Sequence, residues 1–355
     1  MTPPRPLTAP RGPRRRDLLG GLALAGLAGT ALTGCAGGDG PRRTDSVRII
    51  LGHGAAPGNP RSEGALAFQR LVAEKSDGEV EIQILGQESV GSDTEMMVSV
   101  AAGTLDMSIN SQGPFSSYVP EASLIGLPFL FETSHHAYQV LDGPIQDEIA
   151  VLAEEKGFHV LGYWDNGMRD ITNSVHPIEA PEDLAGLKIR TPDDPMTIDI
   201  FDQLGANPTP MAFGELYLGL RQGAVDGQEN PVVNIHSSSL HEVQAHLAVT
   251  GHKYETNPFV ISTTRWEKLD DAVRTVIEEA AVEALAEQRR LLTEQTAEIY
   301  TEFEQSLQVT HPDRAVFREA TAPVYEAWQQ EHPDFFEQIT AAADEIRAEH
   351  EESAA

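Results

Sequence analysis

Residues 186–231, GLKIRTPDDPMTIDIFDQLGANPTPMAFGELYLGLRQGAVDGQENP, contain two strand-to-helix passages in succession. GLKIR reads as a strand that ends on Arg190. Asp194 then stands as an N-cap with Pro195 at the first helical position, and Gly205 follows the last helical residue. FGELYLGLRQ makes a second helix, closed by Gly223. Ala224 and Val225 read as the apolar start of the next strand, which puts Gln228, Glu229 and Asn230 at its C-terminal end. Strands alternating with helices predict α/β layers with mainly parallel pairing. In open sheets of that kind, ligands bind beyond the carboxyl ends of the strands.

The same rhythm extends outward. VRIILGHG (47–54) and EVEIQIL (79–85) read as strands, the second with Val80, Ile82 and Ile84 on one face. Between them a helix over 62–76 carries Ala65, Phe68, Leu71 and Val72 at helical spacing. A helix over about 93–102 leads to the strand LDMSIN (105–110), and a helix over 144–156 leads to HVLGYW (159–164). From Asp270 to Leu307 there is neither Pro nor Gly, and Val273, Val276, Ile277, Ala280 and Ala281 mark one face. One helix of that length would span roughly 55 Å and run across two domains. The alternative is two helices broken near Thr293.

A chain of 355 residues, 40% hydrophobic, has room for about two domains. Its first 34 residues read as an export signal: Arg14, Arg15 and Arg16, an apolar run from Leu18 to Leu32, then Leu32-Thr33-Gly34-Cys35. The apolar run is too short and too rich in Gly and Ala for a comfortable membrane span. Cys35 is the only cysteine, which excludes an intrachain disulfide. Its setting resembles the lipobox of bacterial lipoproteins, where the thiol carries diacylglycerol; the alternative is an ordinary signal peptide with a spare Cys. The arginines before Asp17-Leu18-Leu19 also resemble a twin-arginine signal, with Leu where Phe is usual. Residues 35–45 have the composition of a tether. Loss of residues 1–34 removes five Arg and one Asp, taking the formal charge from −30 to −34. Such a chain is no partner for nucleic acid, and its acidity suggests a saline habitat.

Two decoys fall away. GHGAAPG (52–58) has Pro57 where a dinucleotide fingerprint needs its third Gly, and the histidines of HEVQAH (241–246) are five apart where a zinc helix needs four. No metal and no cofactor is expected, and no nucleophile elbow is present. What does converge is chemistry for an anion. Arg190 at a strand end, Arg169 in WDNGMRDITN after a Gly-containing turn, and Asn230 offer two guanidinium forks and an amide, the set a carboxylate asks for. Asn230 before Pro231 also reads as the N-cap of a helix over VVNIHSSS.

Residues 186–235, with VAEKSDGEVEIQIL (72–85), LPFLFE (127–132) and NGMRDITNS (166–174), resemble the DctP family, the extracytoplasmic solute receptors of tripartite ATP-independent periplasmic (TRAP) transporters. The similarity runs from about Val47 to Pro312. It implies a two-lobed periplasmic-binding-protein fold with crossing strands and a long C-terminal helix spanning the lobes. Lobe I would take 46–166 and about 256–296, and lobe II 167–255 and about 297–350. Arg190 matches the arginine that forms a two-pronged bridge to the ligand carboxylate, Arg169 a second arginine near it, Asn230 the ligand amide and Phe213 the aromatic beside it. His53 and Asp193 fall at ligand-lining positions that vary in the family.

The resemblance further implies an exported, lipid-anchored receptor facing the periplasm or cell exterior, with membrane permease subunits as partners and no catalysis. The ligand is a C4-dicarboxylate, a 2-oxo acid or a sugar acid, whose hydroxyls His53, Trp164, Asp165 and Asp193 could serve. A receptor for a sensor kinase is an alternative. A lyase or isomerase would have to draw its acid and base from Glu215, Glu229 and His53.

Overall fold

A computed structural model describes residues 46–354; the export segment, Cys35 and the tether to residue 45 lie outside the described residues. Strand β1 (Val47–His53) runs parallel to both β2 (Val80–Leu85) and β3 (Met107–Ile109). Helix α1 (Pro60–Lys75) joins β1 to β2, and α2 (Asp93–Ala101) joins β2 to β3. Local chemistry sets where these helices begin. The Asn59 side chain accepts from the Arg61 amide, and Ser92 with Glu95 closes a capping box at α2. Short α3 (Gln112–Ser116), α4 (Ser134–Leu141) and α5 (Pro144–Glu154) then lead into β4 (Phe158–Asn173).

A second parallel group places β5 (Lys188–Thr191) between β6 (Asn207–Pro210) and β7 (Gly227–Asn230), with α6 (Pro195–Gln203) and α7 (Phe213–Gln222) as connections. After α8 (Val232–Ser237) comes β8 (His246–Ser262), antiparallel to β4 along nearly its whole length. These two long strands join both parallel groups into one sheet, ordered β2-β1-β3-β8-β4-β7-β5-β6, with β9 (Gln308–Thr310) alongside β8. Each parallel group with its helices forms a lobe, and β4 and β8 cross between them.

After α9 (Thr263–Trp266), helix α10 (Asp271–Ser306) is continuous through Thr293, whose hydroxyl donates to the Arg289 carbonyl at 2.9 Å. Its first half buries Ile277, Ala280 and Ala284 with the β1–α1 core, and its second half buries Leu292, Ile299 and Phe303 with α7 and α8. Helices α11 (Arg314–Ala320), α12 (Ala322–Glu331) and α13 (Pro333–Ala354) close the chain, burying Phe317, Trp328 and Ile339 in a further core with Leu124, Phe131 and Phe201.

Three local readings are corrected. The strand read at 159–164 is only part of β4, so Arg169 lies within a strand; Gly167, at φ +113°, makes a bulge in it and not a turn after it. Strand β7 begins at Gly227, and Ala224 to Asp226 form the bend before it. Asn230 does not cap α8: Pro231 holds the cap position, and no side chain bonds there.

Candidate functional site

A cavity of about 310 Å³ lies between the lobes. Lobe II supplies Arg190 within β5 and Pro192 after it, Asp193, the segment 210–213 from the last residue of β6 onward, and Asn230 from β7, all at or beyond carboxyl ends of parallel strands. Lobe I supplies Gly54 and Arg61, Glu88 with Ser92 to Thr94, and Ser111. The lobes also bond directly. Asn59 Nδ2 donates to Asn234 Oδ1 at 2.9 Å and to Ser237 Oγ at 3.1 Å, and the Gly214 amide donates to Glu88 Oε2 at 2.9 Å.

Arg190 and Arg169 both line the cavity, but their electrostatic situations are opposite. Arg169 is buried and ion-paired to Glu229 and Glu255, and its Nη2 also donates to the Glu229 carbonyl at 2.8 Å. Burial works against that charge, yet the two carboxylates hold its pKa above the ordinary value. Burial pushes Glu229 up in turn, but Arg169 and His252 outweigh it and hold the carboxyl down at about 2. Arg190 is equally buried, and its Nε and Nη2 donate only to the Met211 carbonyl, at 2.9 and 2.6 Å. Among the described residues no carboxylate lies within ion-pair distance of it. Burial, only partly offset by Glu229, lowers its pKa to about 10, which leaves the guanidinium charged at neutral pH. Its guanidinium carbon sits 5.7 Å from the centre of the Phe213 ring.

Five of the seven residues expected at the ligand therefore meet in one cavity: Arg190, Arg169, Asn230, Phe213 and Asp193. The other two lie elsewhere. Trp164 is fully buried in the lobe I core, edge-on to Phe259 at 5.4 Å, with Gly64 of α1 leaving room for its ring. His53 is buried against Gly86, where an ideal Cβ would lie 2.9 Å from its ring. Burial, aided by the Arg61 charge, lowers its pKa to about 4, so it is neutral. Its carbonyl accepts from the Glu88 amide at 3.2 Å, so His53 stands behind a lining residue. Asn230 donates its amide to Gln228 and accepts from Asn234 at 3.3 Å, which fixes its orientation at the wall. Asp165 is fully buried in β4, where burial, opposed by Arg289, pushes its carboxyl up to about 7.

Sequence reading missed Arg61, Glu88 and Asp93. Arg61 is buried with Nε unpartnered and Nη1 donating to the Ile109 carbonyl at 3.4 Å. A buried Arg in the first turn of a helix leaves no periodic signal, since its neighbours Pro60 and Ser62 read as an ordinary helix start.

Among the described residues no helix is long and apolar enough to cross a membrane, and no cluster of metal-ligating side chains occurs. Residues 51–331 match the family described as bacterial extracellular solute-binding protein, family 7. A 2,3-diketo-L-gulonate-binding periplasmic protein of Escherichia coli (strain K12) is 34% identical over 307 residues, covering 86% of this chain and 91% of that protein. An uncharacterized protein of Sinorhizobium fredii (strain NBRC 101917 / NGR234) is 48% identical over 281 residues, 79% of this chain, which spans 52% of that longer relative. Among solved structures, a TRAP periplasmic solute binding protein from Polaromonas sp. JS666 bound to D-erythronate is 35% identical with a TM-score of 0.80, covering 84% of this chain and 98% of that one.

Proposed function

Because the chain belongs to family 7 of the bacterial extracellular solute-binding proteins, we propose that it is the receptor of a TRAP transporter, capturing an organic acid anion between its lobes and delivering it to a membrane permease. The observation that carries this reading is Arg190: a buried, charged guanidinium at the end of a parallel strand, lining a cavity and with no carboxylate of the described residues within ion-pair distance of it. A ligand carboxylate supplies the missing charge, and lobe closure strengthens the bond by excluding water. Arg169 shapes the field behind it, Phe213 packs on the Arg190 fork, and Asn230 and Asp193 orient the anion. We draw the lobe boundary at 166/167 and 255/256; the bulge between Asp165 and Gly167, opposite Thr256 and Glu255, supports it.

The protein acts by binding alone. The candidate acid and base groups are poorly placed for turnover: Glu229 is ion-paired, Glu215 is exposed on α7, and the His53 ring is outside the cavity lining. Export and a lipid anchor on Cys35 belong to the same proposal and rest on residues 1–35 of the sequence. Thermal-shift screening against dicarboxylates, 2-oxo acids, uronates and aldonates, followed by calorimetry, tests it, since a ligand of the folded state raises the melting temperature. A strong acid hit is expected. Silence across every carboxylate would overturn the reading.

A further inference from the structure

Three carboxylates line the same cavity as Arg190, and two of them, Glu88 and Asp93, each have a buried oxygen without a partner. Glu88 Oε2 accepts from the Gly214 amide, but its Oε1 is buried and unpartnered among the described residues. Asp93 Oδ2 accepts from the Ser111 amide at 3.1 Å, and its Oδ1 is likewise buried and unpartnered. The free oxygens converge beside Gly54, the residue after β1. An ideal Cβ there would lie 3.1 Å from Asp93 Oδ1 and 3.6 Å from Glu88 Oε1. Reaching this place takes an unusual backbone, since Gln87 and Glu88 are consecutive non-glycine residues at φ +57° and +54°. Such conformations gather where a site requires them.

We propose that Glu88 and Asp93 form a hydroxyl-reading wall on lobe I, and that the ligand is a hydroxylated monocarboxylate and not a C4-dicarboxylate. The inference rests on the carboxylate reading above and narrows it. An ionised carboxylate only accepts hydrogen bonds, so the ligand must bring donors to this wall. A polyol does so; a second carboxylate brings acceptors and like charge. Charge balance points the same way. Arg61, Arg169 and Arg190 stand against Glu88, Asp93, Asp193, Glu229 and Glu255, so the site already carries two carboxylates more than it has arginines. One ligand carboxylate has Arg190 to meet it, and a second would be buried without a counter-ion. Arg61, flanking the acids with Nε free, can donate to a ligand hydroxyl and limits the repulsion between Glu88 and Asp93.

The test compares two four-carbon acids of similar size, D-erythronate and succinate, together with D-glucuronate, by calorimetry on the purified protein and on the Glu88→Gln and Asp93→Asn variants. The hydroxylated acids are expected to bind at least tenfold more tightly than succinate. Either variant should narrow that ratio, weakening the hydroxylated acid while strengthening succinate, because an amide can donate to a carboxylate. A merely structural role would weaken both ligands together, so an unchanged ratio in both variants would overturn the assignment to these residues. Succinate binding as tightly as the hydroxylated acids would overturn the ligand class and leave the receptor reading standing. If no carboxylate bound at all, the receptor reading would fall and take this inference with it.

Discussion

At the scale of single residues, the two arginines of lobe II separate binding from stability. Arg190 has no carboxylate of the described residues within ion-pair distance, so Arg190→Ala should cost about 2–5 kcal/mol of ligand binding with little change in melting temperature. Arg190→Lys should rescue only part of it, because the ammonium lacks the fork that meets a carboxylate with two parallel bonds; calorimetry reads both. Arg169→Met should do the reverse. It leaves Glu229 and Glu255 buried without a countercharge, which costs about 3–5 kcal/mol of folding stability. Glu229 also fixes a pH dependence. Its folded pKa of about 2 lies below the ordinary 4.5, so its share of stability is present above pH 4.5 and is lost as pH falls from 4.5 towards 2. In Arg169→Met that acid-side loss should vanish or invert, which melting curves across this range would reveal. Both arginines were legible in the sequence as candidates, but not which of them is available, because the partners of Arg169 lie 60 and 86 residues away along the chain.

At the scale of elements, β4 and β8 were the least legible parts of the fold. Helices α1, α2, α6 and α7 announce themselves by apolar spacing, caps and terminal glycines. The crossing strands lack period-two alternation because they are buried on both faces and still polar: Asp165, Asn166, Arg169 and Asp170 in β4, and His252, Lys253, Glu255 and Asn257 in β8. Part of that burial is met by bonds within the two strands, such as Asn166 Nδ2 donating to Glu255 Oε2 at 2.6 Å, and part by α10. Gln288 of α10, for instance, accepts from the Asp165 amide at 3.2 Å and donates to its carbonyl at 2.6 Å. Gly167 sets the bulge where β4 passes between lobes, at a φ closed to side chains. Gly167→Ala should therefore cost about 1–3 kcal/mol, read as a lower melting temperature. An unchanged melting temperature would mean that the bulge can relax and is not a fixed joint.

At the scale of the whole molecule, the proposed function asks a chain of formal charge −30 to capture an anion, so attraction has to be local. Self-repulsion among surface carboxylates acts over the Debye length, about 10 Å at 0.1 M salt. The melting temperature should therefore rise as salt increases from low concentration to about 1 M. Ligand affinity should change much less, because the buried Arg190 is poorly screened. A melting temperature indifferent to salt would argue that the acidity has no stabilising counterpart in a saline habitat. By itself the sequence determined the alternating α/β elements, the strand ends where a ligand meets the chain, the family and the candidacy of Arg190, since all of these follow from near neighbours or short motifs. Only the tertiary structure decided that Trp164 belongs to a core, that His53 stands behind Glu88, that Arg169 is neutralised while Arg190 is not, and that Glu88 and Asp93 converge beside Gly54. The physical reason is that burial and charge pairing depend on which distant segments the sheet brings together, and no local pattern records the partner.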